Sequence, residues 1–251
     1  MTRKSNVSAI IIAKNESDRI RECMERLSSW VKEIIVIDNG STDDTLKLAN
    51  KYGAFVYSVT DANFSAIRQQ GAALAKGEWL LYVDADETVT HSLQNEILEV
   101  ITHAGGPSAF SIPRKNYYLR TLWPTSDSMI RLIKKSDLIR WEGVVHEHAI
   151  IRGKVGMLKH QFIHDTHRTL AEMVAKTNEW SVSEAKLRYE AHHPRISWWR
   201  FIRVMMTAFI HTFVFDGGWR AGTVGWIESI YQSFSIFITY AKLWEMQQKT
   251  Y

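Results

Sequence analysis

The chain has one cysteine, Cys23, in 251 residues. An internal disulfide is therefore excluded, and the usage fits a reducing compartment. Cys23 follows charged residues on the expected first helix, so it reads as a packed or surface thiol rather than a nucleophile. An apolar leader is also missing. Met1-Thr2-Arg3-Lys4-Ser5-Asn6 runs directly into a strand, and export is not expected. The two most apolar stretches, both in the C-terminal tail, are broken by charges short of the roughly 18 uncharged apolar residues of a membrane span. No basic block with interleaved aromatics marks a nucleic-acid module. The net charge of +4 is mild and comes partly from basic residues in the C-terminal third. Nor does a glycine-rich, basic loop follow the first apolar run: Ala13-Lys14-Asn15-Glu16 offers no cradle for a phosphate.

What is present is a chain of 45% hydrophobic content, enough to bury one large domain, or one domain and an appendage. Val7 to Ala13 reads as a buried strand. A helix is expected from Asn15-Glu16-Ser17-Asp18 to about Trp30, with acids in its first turn. Glu33 to Asp38 is a second strand, broken at Asn39-Gly40-Ser41-Thr42-Asp43-Asp44, and a helix follows through Lys51; Asp43 and Asp44 read as its caps. Phe55 to Val59 is a short third strand. Phe64 to Lys76 is helical, with Gly77 as its C-cap glycine, and Glu78 to Val83 is the fourth strand. Alternation at this spacing predicts an α/β fold, a mostly parallel sheet with helices on both faces. Beyond Asp86 the texture changes. A helix over His91 to His103 stops at Gly105-Gly106-Pro107, short strands and loops run to about Asp165, and a polar helix over Leu170 to Glu190 breaks at His192-His193-Pro194. Three regions are expected, 1–103, 104–165 and a helical 166–251.

The tail carries Trp198, Trp199, Trp219, Trp226 and Trp244 on two strongly apolar helices joined at Gly217-Gly218. Polar residues form one thin stripe on each: Arg200, Arg203, Thr207 and His211 on the first, Glu228, Gln232, Ser235, Thr239 and Lys242 on the second. Two readings compete. The helices pack on the sheet or on a partner subunit, or they lie in the plane of a membrane with Arg195, Arg200 and Arg203 facing anionic head groups. A helix apolar over most of its circumference has too little core nearby to cover it, which favours the membrane surface.

Chemistry concentrates in Val83-Asp84-Ala85-Asp86-Glu87. Two carboxylates one residue apart end an apolar strand, on the edge where open α/β sheets bind ligands. Oxygen ligands there suit Mg²⁺ or Mn²⁺ bridging the phosphates of a nucleotide. Asn15-Glu16 after the first strand and Asp38 at the end of the second converge on the same edge. In motif order, Ile11-Ile12-Ala13-Lys14-Asn15-Glu16, then Ile37-Asp38-Asn39-Gly40-Ser41-Thr42-Asp43-Asp44-Thr45, then Arg68-Gln69-Gln70-Gly71, then Asp84-Ala85-Asp86-Glu87 resemble family 2 inverting glycosyltransferases with a GT-A fold, over about the first 165 residues. Arg131-Leu132-Ile133-Lys134-Lys135, followed by Trp141-Glu142-Gly143-Val144-Val145-His146-Glu147-His148, is similar to a branch that acts on lipopolysaccharide core and includes inner-core β-glucosyltransferases. The aromatic tail is similar to theirs.

The resemblance implies a nucleotide-diphosphate sugar donor, UDP-glucose, held by Ala13, Asn15, Glu16, Asp38 near the base, Arg68 and Asp84 near the ribose. It implies Mg²⁺ or Mn²⁺ on Asp86; from the residues themselves, His148 is a candidate second ligand, either a histidine facing the site as ligand or Glu147 facing it as base. Gln69 stands where the family's motif has asparagine. An inverting transfer needs a base for the acceptor hydroxyl, and Glu147 is the candidate, with Glu142 and Asp165 in reserve. If His146-Glu147-His148 is extended, the histidines share one face and Glu147 takes the other; a loop relaxes that conflict. The expectation is a peripheral enzyme of the cytoplasmic membrane face, with no nucleic-acid partner, moving a hexose to a lipid-linked saccharide; a homo-oligomer would bury the same aromatic helices. Two alternatives stand: a sugar nucleotidylyltransferase, which the missing phosphate loop disfavours, and a non-catalytic membrane scaffold, which would have no need of Asp38, Asp84 and Asp86.

Overall fold

A computed structural model describes residues 4–59, 63–103, 105–143 and 147–248. Strands β1 (Val7–Ala13), β2 (Glu33–Asp38), β3 (Phe55–Ser58) and β4 (Trp79–Asp84) alternate with helices α1 (Ile20–Ser28), α2 (Thr45–Lys51) and α3 (Phe64–Leu74). They pair in parallel in the order β3-β2-β1-β4. Alternate residues of β1 serve opposite faces, as strand geometry requires. Val7, Ala9 and Ile11 join Met24 and Leu27 of α1 in one buried layer, while Ile10 and Ile12 join Ile67 and Ala72 of α3 in the other. Helices thus cover both faces, as the alternation predicts.

After β4 come β5 (Glu87–Val89), α4 (His91–Val100), β6 (Ala109–Tyr118), β7 (Thr121–Leu122), β8 (Asp127–Lys134), β9 (Leu138–Glu142), β10 (His148–Ile151), β11 (Val155–Met157) and β12 (Phe162–His167). β8 continues the sheet antiparallel to β4, and β6 antiparallel to β8. β9 and β10 form a separate two-stranded antiparallel ribbon.

Two local expectations are corrected. The first helix begins at Ile20, not at Asn15. Asn15 takes a left-handed φ of 55°, and the N–H groups of Asn15, Glu16 and Ser17 donate to Ser41 Oγ, Thr45 Oγ1 and Asp43 Oδ2. These cross-loop bonds stitch the β1 and β2 ends together. Gly77 is not a helix cap, since α3 ends at Leu74 and Ala75 is already extended. Glycine is required there by close approach: a Cβ would lie 2.6 Å from the Ser8 nitrogen. Of the two expected caps at α2, Asp44 makes no side-chain capping bond, while Asp43 accepts from the Thr45 N–H at 3.0 Å.

The chain divides into two compact units, Met1–Lys115 with Asp127–His164, and Asn116–Ser126 with Asp165–Tyr251. The second unit takes in the β6–β7 hairpin together with the C-terminal helices α5 (Leu170–Glu190), α6 (Trp198–Ile210) and α7 (Gly222–Gln248). A π-helical turn over His211–Phe215 ends α6. Gly217, at φ 76°, starts the connection to α7. In this unit a set of polar residues is buried. Thr177, Ser181, Glu228, Ser229, Ser233 and Thr239 are buried; the Tyr231 hydroxyl, 2.6 Å from Thr177 Oγ1, donates to the Met173 carbonyl, and Ser233 Oγ donates to the Met205 carbonyl. Outward stand Trp198 at 75% exposure, Phe215 at 73% and Trp219 at 61%. No described helix is long and apolar enough to cross a membrane.

Candidate active site

The C-terminal edge of the parallel strands collects the charged residues. Asp84, the last residue of β4, receives two guanidinium groups. Arg131 reaches both of its oxygens, and Arg68 Nη2 donates to Oδ1 at 3.2 Å. Burial alone would raise the Asp84 carboxyl, but Arg131 and then Arg68 outweigh it and hold the group well below the usual carboxylate range. Glu87, fully buried, accepts from the Asp84 N–H at 2.9 Å, from Arg131 Nη2 at 3.1 Å and from Arg114 Nη1 at 3.3 Å. Burial pushes Glu87 up, Arg131 pulls it down, and the Asp84 charge pushes it up again. Arg131 is 1% exposed. Desolvation works against its charge, yet Asp84 and Glu87 keep it firmly protonated. A charge this deep persists only because its counter-charges are equally fixed.

Arg68, from α3, is the hinge of the arrangement. Its Nε donates to Glu147 Oε1 at 2.9 Å, and its Nη2 lies 2.9 Å from the same oxygen. One guanidinium thereby joins Asp84 at the strand end to Glu147, the expected base. Arg68 Nη1 and Arg131 Nε are buried without a hydrogen-bond partner among the described residues. A pocket of about 210 Å³ is lined by Arg68, Arg131, Trp141, Glu147, His148 and Met129 among others. Glu147 is not in a strand; it immediately precedes β10, so strict alternation with His148 does not constrain it. His146, the other flanking histidine, lies outside the described residues.

The other expected residues fall as follows. Asp38, 2% exposed, closes the turn after β2 by accepting the N–H groups of Gly40 at 3.1 Å and Ser41 at 3.1 and 3.2 Å. Ala13 is buried, and its carbonyl accepts the Asn39 N–H. Asn15 Oδ1 accepts from the Thr42 N–H at 2.7 Å, and Glu16 Oε2 lies 3.3 Å from Arg19 Nε. Asp86 Oδ2 lies 3.5 Å from both Arg19 Nη1 and His164 Nε2. His148 stands on the exposed ribbon, 3.8 Å from Glu142 Oε2. The imidazole beside Asp86 is therefore His164, not His148. Of the reserve bases, Glu142 Oε1 accepts from Arg140 Nε at 2.6 Å, and Asp165, in the second unit, pairs with Arg168 at 2.8 Å. Cys23 is buried, which pushes its thiol well above the ordinary range. It is a packed thiol.

A divalent cation fits Asp86. Mg²⁺ and Mn²⁺ sites at phosphates take one or two protein side chains and fill the remaining positions with phosphate oxygens and water. Asp86 supplies one such side chain, a carboxylate whose Oδ2 lies 3.5 Å from Arg19 Nη1 and from His164 Nε2, and no group of three or more metal-ligating side chains occurs among the described residues.

An α/β sheet in this order, with acids closing its parallel strands, has the GT-A class of architecture. The model of the family "Glycosyl transferase family 2" matches residues 8–156, and the chain belongs to that family: it is a glycosyltransferase. It is 26% identical to an uncharacterized glycosyltransferase of Rickettsia conorii, over 97% of this chain and 92% of that one. It is 25% identical to the lipopolysaccharide core biosynthesis glycosyltransferase LpsC of Rhizobium meliloti, over 98% of this chain and 94% of the other. Among solved structures, glucosyl-3-phosphoglycerate synthase from Mycobacterium tuberculosis, in complex with Mn²⁺, UDP and glucosyl-3-phosphoglycerate, is 25% identical with a TM-score of 0.37; the match spans 47% of this chain and 44% of that one.

Proposed function

We propose that the chain transfers a hexose, with inversion, from a nucleotide-diphosphate sugar such as UDP-glucose to a lipid-linked saccharide of the lipopolysaccharide-core type, at a membrane surface and with a divalent cation. The observation that carries the chemistry is the Asp84–Arg68–Glu147 chain, which ties the strand-end acids to a carboxylate facing a pocket. Asn15, Glu16 and Asp38 shape the loops after β1 and β2 that would receive the nucleoside. Arg68 and Arg131 line the pocket and place positive charge beside the oxygens a donor would bring. Glu147 would take the proton of the acceptor hydroxyl as the sugar–phosphate bond breaks on the opposite face. Asp86, with His164, would hold Mg²⁺ or Mn²⁺, which when bound neutralises charge on the leaving diphosphate. The lipopolysaccharide-core acceptor is taken from LpsC, the named relative with near full-length coverage.

Peripheral attachment is supported by the second unit, which exposes Trp198, Trp199, Phe215, Trp219 and Trp226 while burying several polar side chains. Arg200 and Arg203 lie 5.3 and 5.7 Å from the Trp199 ring, placing cations among exposed aromatics as a bilayer interface with anionic head groups demands. The test is incubation with labelled sugar nucleotides, vesicles carrying lipid-linked saccharide, and Mg²⁺ or Mn²⁺. Transfer that is lost in Asp86→Ala and Glu147→Gln supports the reading. Full turnover by Glu147→Gln sinks the base, full turnover by Asp86→Ala sinks the metal, and equal sedimentation with and without anionic vesicles sinks the membrane surface.

A further inference from the structure

Glu147 borders a structural element tied to the main domain by a few side chains: Trp141 is buried, and Leu138, Ala149 and Ile151 pack half-buried against the same core layer. The β9–β10 ribbon shares no hydrogen-bonded strand with the main sheet, and apart from Trp141 its residues are exposed or half-buried. A lone two-stranded ribbon is marginal in water. Trp141 is the plug that anchors it. Its N–H donates to Gln69 Oε1 at 3.1 Å, and its indole Nε1–H donates to the Tyr82 hydroxyl at 3.0 Å. Its ring meets Tyr82 edge-on at 4.9 Å, with the Arg68 guanidinium 5.2 Å from the ring centre. The Tyr82 hydroxyl in turn donates to the Arg68 carbonyl at 3.2 Å. Trp141 lies opposite Ala149 in the ribbon, and Glu142 opposite His148, so wherever Trp141 sits, Glu147 follows.

We propose that Gln69 is a positioning residue for the transfer reaction. By accepting the Trp141 N–H, its side-chain amide fixes the ribbon against α3 and keeps Glu147 in front of Arg68 and Asp84. This deepens the assignment of Glu147 as base and rests on it. Gln69 itself is exposed, so replacing it leaves the buried layers intact. Its reach matters: a side chain one carbon shorter draws back by about 1.5 Å, outside hydrogen-bond distance of Trp141.

The test compares Gln69→Met, equal in length but without an acceptor, with Gln69→Glu, which restores one. Gln69→Met is expected to speed hydrogen exchange in β9 and β10 roughly tenfold or more. It should lower kcat by about 10- to 100-fold, the usual consequence of misplacing a reacting group by around 1 Å, while the donor KM stays within about twofold. Gln69→Glu is expected to recover most of both. Tyr82→Phe, which removes the acceptor of the indole N–H together with the donor to the Arg68 carbonyl, gives the second probe and the same pattern of lower kcat at constant donor KM. Unchanged exchange in Gln69→Met overturns the anchor. Faster exchange with unchanged kcat, or a donor KM that moves with kcat, overturns the positioning role. Full turnover by Glu147→Gln would instead remove the base assignment while leaving the exchange result standing, so the two failures are told apart.

Discussion

Removing Arg131 tests the electrostatic core of the site most directly. Arg131→Met keeps much of the side-chain volume and deletes a charge that is 1% exposed and bonded to Asp84 and Glu87. Breaking a buried ion pair by deleting one partner costs about 3–5 kcal/mol, because the other charge stays buried and uncompensated. For a chain of this size each kcal/mol moves the melting temperature by about 2–4 °C, so a fall of roughly 6–20 °C is expected. The pH dependence supplies the discriminating sign. In the native protein Asp84 is held well below the usual range, since Arg131 and Arg68 outweigh its burial. Its contribution is therefore present above the ordinary aspartate pKa of about 3.9 and is lost only as pH falls through the lower native value, so it is constant between about pH 5 and 8. In Arg131→Met both folded-state carboxyls lose their main cation: Asp84 moves up from its lowered position, and Glu87, already raised by burial in the native protein, moves further up. The deficit is then largest at high pH and shrinks as pH falls, because the folded variant takes up the protons that relieve it. Thermal melts of both proteins at about pH 8 and pH 5 measure this. A deficit below about 1 kcal/mol, or one that is flat across that range, refutes the buried-network reading. Arg131→Lys should recover only part of the loss, since an ammonium cannot reproduce the fork that grips both carboxylates.

Two further substitutions test the backbone that aligns the strand ends. Gly77→Ala places a Cβ 2.6 Å from the Ser8 nitrogen and 2.9 Å from the Asn6 carbonyl oxygen, so destabilisation of about 1–3 kcal/mol is expected in denaturant titration; a neutral result would mean that the α3–β4 connection and β1 are not packed so closely. Asn15→Ala keeps a Cβ at φ 55° but loses the acceptor of the Thr42 N–H, a loss of about 1–2 kcal/mol. Asn15→Asp, which restores an acceptor, should regain stability, and equal losses in the two variants would refute the cross-loop stitch.

The parallel half of the fold was legible because β1, β2 and β4 are near-continuous buried apolar runs and the helices between them have amphipathic faces. Those signals are local, and burial on both faces of the sheet leaves them no alternative. The loops were read less well because their hydrogen bonds are not local. Nothing near Asn15 in sequence announces that Ser41, Asp43 and Thr45 will consume the N–H groups an early helix start would leave open. Gly77 failed for a related reason. A glycine after a helix reads as a cap, and only the tertiary approach of Ser8 reveals the other demand.

The same distinction explains which parts of the site were found. Asp38, Asp84, Asp86 and Glu147 stand out as acids at strand ends or in a motif, and strand order brings the first three to one edge. Glu87 and Arg131 stood inside the quoted motifs without a role, and Arg114 carried no mark, although Glu87 follows Asp84 by three residues, the spacing at which its carboxylate accepts the Asp84 N–H. Arg131 sits in an antiparallel strand and becomes part of the site only because β8 hydrogen-bonds to β4. Their presence alters what Asp84 can do. Asp84 was expected to read the ribose, yet both of its oxygens already accept from guanidiniums, so in this arrangement it orients Arg68 and Arg131 and leaves each with an unpartnered donor. Through Arg68 the strand-end acid is linked to Glu147 at the pocket.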